Sequence, residues 1–151
     1  MRDTGSFIGV LLDGLARGFS VSFVAEGDSM WPTIRSGDRL TAVPVNPSEV
    51  RPGEIVLVLS GHTHPRLLAH RVVTIRQAGS EPTIEVRGDA KRGPDVPVTL
   101  DRVVARVVAV ERGWRIWRLD GPSSRMRDRL RVPIARALSR WLTPPDTAAA
   151  A

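Results

Sequence analysis

The sequence predicts a mostly β domain, and three observations carry that expectation. Short runs rich in valine and isoleucine recur at close intervals. Clusters of Pro, Gly, Asn and Ser, such as P-V-N-P-S and R-P-G, separate them, as turns between short strands require. A length of 151 residues is enough for one sizeable core and short for two.

The elements follow in order. Phe7, Ile8, Leu11, Leu12 and Leu15 repeat at helical spacing and predict a short amphipathic helix within an N-terminal segment 1–19, although Gly9, Gly14 and Gly18 weaken it. The chain turns extended at 20–24. From Glu26 to Leu40 it reads E-G-D-S-M-W-P-T-I-R-S-G-D-R-L, too irregular for a plain strand or helix. Strand-like runs then fall at 39–43, 54–59, 67–75, 83–87, 103–110 and 114–119, so the β domain spans 20–120. Beyond it Met126, Leu130, Ile134, Leu138 and Trp141 form one stripe among arginines, which predicts a basic amphipathic helical segment at 121–143. Pro133 should kink that segment or divide it into two helices. The last residues, 144–151, read P-P-D-T-A-A-A-A and are expected to be a disordered tail.

Composition narrows the chemistry. The formal net charge is +6 from a Lys+Arg count of 22, yet Lys91 is the single lysine, so a mechanism that needs a lysine has one candidate. There is no cysteine, which excludes disulfides, thiolate nucleophiles and cysteine-ligated zinc. Residues 1–19 do not make a secretory leader: the apolar stretch 7–12 contains Gly9 and is closed by Asp13, with Arg17 following. No run approaches the roughly 20 apolar residues of a membrane-spanning helix. These features predict a soluble, cytoplasmic chain with neither signal peptide nor transmembrane helix. The basic 121–143 segment leaves peripheral contact with an anionic membrane, or electrostatic contact with nucleic acid, as alternatives to a helix that covers its own domain.

Ser29 is the oddly placed residue. A serine hydroxyl is a poor nucleophile until a neighbouring base takes its proton, so the search is for that base. His62 and His64 fall in the turn-like S-G-H-T-H-P, where a solvated pair lacks a third metal ligand in sequence. Lys91 lies in the loop-like G-D-A-K-R-G-P-D, and a solvated lysine is a bad base near neutrality. His70 differs: it sits inside L-L-A-H-R-V-V-T-I, where alternation puts it on the face of Leu68 and Val72, opposite Ala69, Arg71 and Val73. A polar ring in a strand needs a partner, structural or catalytic.

G-D-S-M-W-P-T-I followed by S-G-D resembles the nucleophile box of the signal peptidase I and LexA-type serine peptidases. A-H-R-V-V is similar to the second box of that superfamily, a base followed by Arg-Val, in its histidine variant. V-R-G-D-A-K-R-G-P-D resembles the third box, a Gly-Asp with a later aspartate. Together the three span roughly 24–110.

The resemblance implies a LexA-like or signal-peptidase-like β fold, to which the periodicity adds a short N-terminal helix and C-terminal amphipathic helices, and makes 20–120 a catalytic domain. It makes Ser29 the nucleophile and His70 the general base, with Asp95 orienting the imidazole and Asp89 as structural support or alternative orienter. Gly27 stands where many relatives carry an oxyanion-binding hydroxyl, so the backbone N–H of Ser29 would carry more of that task. Asp28 reads as a loop acid without chemistry. Met30 and Trp31, with the apolar N-terminal residues, would form a partly exposed substrate rim or else belong to the ordinary core. The implied activity is endopeptidase cleavage of a peptide or precursor protein after small residues, with no cofactor or metal and no specific nucleic acid; the oligomeric state is left open. Two other functions share these residues. One is a self-cleaving LexA-like regulator, for which the 28 residues before Ser29 are too few to hold a DNA-binding domain. The other is a noncatalytic interaction domain.

Overall fold

A computed structural model describes residues 4–61, 65–93, 95 and 97–119. Within them one helix, α1 (Thr4–Ala16), precedes eight strands: β1 (Val21–Val24), β2 (Arg39–Pro44), β3 (Ile55–Ser60), β4 (Arg66–Ala78), β5 (Glu81–Arg87), β6 (Val98–Thr99), β7 (Val103–Arg112) and β8 (Arg115–Arg118). The helical segment expected at 121–143, the tail 144–151, and His62 and His64 lie outside the described residues.

All strand pairs are antiparallel, and the sheet runs β1-β2-β7-β3-β4-β5-β6. β7 is shared: β2 occupies one of its edges, while β3 pairs with 103–106 on the other and β8 takes over at 109–112. Register shifts at Thr41/Ala42, Leu57/Val58 and Val72/Thr74 mark irregularities of the kind that bend and twist a strand, and the sheet curls.

That curl lets one sheet cover two cores. On one face Leu11 and Leu15 of α1 join Met30, Ile34, Leu40, Ile55, Leu57 and Val107. The other collects Val50, Val56, Val58, Val72, Ile84 and Val86. Strand β3 lies between them and reads I-V-L-V-L-S, apolar at consecutive positions because both its faces are covered. The helix forms over its glycines because Ile8, Leu11 and Leu15 are buried. Among the described residues no helix is long and apolar enough to cross a membrane.

Candidate active site

Ser29 sits in the loop between β1 and β2, and that loop is fastened at its neck and along its length. Ala25 N–H donates to Asp38 O at 2.8 Å and Gly37 N–H to Ala25 O at 2.9 Å. The buried Asp38 carboxylate accepts from Arg35 N–H at 2.8 Å and from Arg112 of β7 at 2.7 and 2.6 Å. Arg112 therefore holds the Asp38 carboxyl below its ordinary range, against the opposing effect of burial. Met30 and Ile34 turn inward to the core, with Ile34 N–H donating to Met30 O at 3.0 Å. Gly27, at φ 85°, occupies the left-handed region that favours glycine.

His70 comes from the middle of β4, opposite Val56 of β3. It is 1% exposed, one of two buried polar or charged residues among those described, the other being Asp38. One step past the last β4–β5 pair, Arg71↔Arg87, the chain leaves β5 at Gly88. A Cβ there would lie 2.4 Å from the carbonyl oxygen of Ser29, so the absence of a side chain lets the two loops meet. Ala90 N–H then donates to that same carbonyl at 2.9 Å. This close approach delivers the serine to the histidine.

Ser29 Oγ lies 3.2 Å from His70 Nε2. On the other side of the ring Nδ1 contacts Asp95 Oδ2, and both atoms are buried. A carboxylate can only accept, so Nδ1 carries the imidazole proton and Nε2 is free to accept from the serine hydroxyl. Burial lowers the His70 pKa from its ordinary value; Asp95 opposes that shift and Lys91 adds to it, and the net direction is down. The ring is thus a neutral acceptor at neutral pH.

Asp89 has a different set of partners. Arg71 grips both of its oxygens, Nε to Oδ1 at 2.8 Å and Nη2 to Oδ2 at 2.7 Å, and Thr33 Oγ1 donates to Oδ2 at 2.6 Å. Burial alone would raise its pKa, but the arginine and the threonine outweigh it and hold the carboxyl low. Arg71 also donates to Gly53 O at 2.8 Å, which ties the site to the turn before β3.

Of the residues singled out by sequence, Ser29, His70 and Asp95 form one chain of contacts, and Asp89 stands beside it in a separate ion pair. Trp31 is 53% exposed. Met30 is not part of a rim. It is 3% exposed because its side chain enters the core, where Sδ accepts from Asp89 N–H at 3.4 Å. Asp28 is exposed. Sequence reasoning missed three supports: Thr33, the Asp38–Arg112 pair that bridges 74 positions, and Lys91, whose ammonium reaches Asp95. Only the last left a legible sign, opposite charges four residues apart. No group of three or more metal-ligating side chains occurs among the described residues. No protein-family model matches the chain, and no curated protein matches its sequence.

Proposed function

We propose that the chain is a serine endopeptidase of the signal peptidase I-like and LexA-like class, with the β fold of that class, acting on a peptide or precursor protein. The observation that carries this reading is the approach of Ser29 Oγ to His70 Nε2 at 3.2 Å, with Asp95 on the far nitrogen of the ring. Ser29 Oγ attacks the scissile carbonyl carbon while His70 Nε2 takes its proton. Asp95 stabilises the imidazolium so formed, and the backbone N–H of Ser29 binds the developing oxyanion. Collapse expels the leaving amine, which takes the proton from His70, and leaves an acyl group on Ser29. Water, deprotonated by His70, then releases the acid and restores the hydroxyl. Cleavage after small residues follows from the resemblance of the three sequence boxes.

The test is covalent labelling with a fluorophosphonate probe, which reports an activated serine without knowledge of the substrate. Wild type should be modified at Ser29, whereas Ser29→Ala should not react and His70→Ala should react at least about 100-fold more slowly. Labelling should weaken on acidification only below pH 6.5, the ordinary histidine value, because the burial that lowers the His70 pKa keeps the base neutral further into acid. An unreactive wild-type serine, or a His70→Ala variant that labels normally, refutes the peptidase reading and leaves an interaction domain.

A further inference from the structure

Sequence places Lys91 in a solvated loop; the fold puts it directly behind Asp95. Its Nζ lies 2.6 Å from Asp95 Oδ1, while Oδ2 of the same carboxylate faces His70 Nδ1. With its two oxygens engaged by different partners, the carboxylate cannot rotate without losing one of them. Lys91 is itself fixed at the backbone, where its N–H donates to Gly88 O at 2.9 Å, and Gly88 is the residue packed against the Ser29 carbonyl. Asp95 N–H donates to Val86 O at 2.9 Å. The backbones of Lys91 and Asp95 are thus both tied to the end of β5, and their side chains meet across the loop.

We propose that Lys91 is a positioning residue: its ammonium holds the Asp95 carboxylate in the rotation that aims Oδ2 at His70, and its charge partly balances that carboxylate. The proposal rests on the Ser29–His70–Asp95 reading given above. Among the described residues the charged groups near the ring are few. After β5 come Asp89, Lys91 and Asp95; β4 itself contributes Arg71, committed to Asp89; β3 presents apolar Val56 opposite; the β1–β2 loop presents the Ser29 hydroxyl. Asp95 and Asp89 raise the affinity of the ring for a proton, and Lys91 lowers it. Removing the ammonium therefore moves the ring's midpoint, upward through the lost charge or downward if Asp95 swings off Nδ1. A merely structural pair would not do this.

Lys91 is a half-exposed side chain, so its replacement does not threaten the core. Lys91→Met removes the charge and keeps most of the stem; Lys91→Arg keeps both charge and donors. Two readouts on the 151-residue chain decide the matter: the pH dependence of fluorophosphonate labelling, and the imidazole titration of His70 followed by NMR, which needs no turnover. In Lys91→Met, labelling at pH 7 should slow about tenfold, as misorientation of a catalytic group does, with the acid limb and the NMR midpoint displaced together, upward where the lost charge dominates and downward where Asp95 leaves Nδ1. Lys91→Arg should stay within about twofold of wild type and restore both midpoints. An unmoved His70 midpoint in Lys91→Met overturns the proposal, whether or not the rate falls. If wild-type Ser29 fails to label, the peptidase reading falls, and the NMR titration still decides what Lys91 does to His70.

Discussion

Two aspartates leave the end of β5 within one short stretch, and their surroundings differ in kind. Asp89 has both oxygens engaged by Arg71 and a further bond from Thr33, none of them on the imidazole. Asp95 divides its oxygens, one toward His70 and one toward Lys91. The first arrangement closes on itself: it joins the β1–β2 loop through Thr33 to β4 through Arg71 and to the turn before β3 through Gly53. The second is an open line that ends at a serine hydroxyl. A carboxylate that braces a loop and one that reaches a buried histidine can therefore stand side by side, distinguished by where their second oxygen goes.

Asp95→Asn tests the division most severely. An amide in place of the carboxylate no longer fixes the Nδ1–H tautomer, and labelling of Ser29 should fall by about 10³- to 10⁴-fold while thermal stability barely moves. If Asp95→Asn instead labels normally and Asp89→Asn does not, the roles are exchanged.

Gly88→Ala comes next, because it attacks the contact both aspartates depend on. The added methyl would meet the Ser29 carbonyl oxygen at 2.4 Å, and that carbonyl is also held by Ala90 N–H. Neither partner can withdraw without breaking a backbone bond, so a loss of about 3 kcal/mol in urea unfolding is expected, together with loss of labelling. A variant with wild-type stability would mean that the loops meet less closely.

How much of this was legible before the fold is itself a matter of range. The strand runs at 39–43, 54–59, 83–87 and 103–110 coincide closely with β2, β3, β5 and β7, since alternation and turn residues are local signals. β4 extends to Ala78, past the expected end at 75, because pairing with β5 continues to Ala78↔Glu81. The two-residue β6 carries too little sequence to announce itself, and β8 starts at Arg115 because Gly113 and Trp114 make the turn. Ser29, His70 and Asp95 were marked by likeness of their sequence boxes; periodicity alone would have left His70 as a strand histidine in want of a partner. What no local pattern encodes is which side chains meet across the sheet. Arg112 finds Asp38 only because β2 and β7 are neighbours, and Met30 reads as rim or core until the loop is closed.

Asp89→Asn should act chiefly on the fold. Neutralising the acid leaves Arg71 with weaker partners, and a loss of about 2 kcal/mol is expected for charge-assisted bonds at a partly buried site. The sign of its pH dependence follows from the direction of the shift. The folded-state pKa of Asp89 lies below the ordinary 3.8, so its contribution is complete above that value and is lost as pH falls through the lowered one. Wild type should therefore lose stability in this acid window more steeply than Asp89→Asn. Parallel profiles would show that Arg71 and Asp89 contribute nothing as an ion pair.

The smallest effect expected is that of Thr33→Val, which removes one hydroxyl and keeps the shape. Thr33 Oγ1 donates to Asp89 Oδ2 at 2.6 Å, and joins the β1–β2 loop to the Asp89 side of the site beside the bonds from Ala90 N–H and Asp89 N–H. Arg71 still holds both oxygens in the variant, so stability should fall by only about 1 kcal/mol. Labelling should slow modestly because Ser29 lies four positions from the lost anchor, while Met30, Ile34 and the Asp38–Arg112 pair still hold the loop. The His70 titration should stay where it is, since none of the charges around the ring has changed. A shift of that midpoint in Thr33→Val would mean that the Asp89 brace and the Asp95 line are coupled, and that the two carboxylates do not divide their tasks as their contacts suggest.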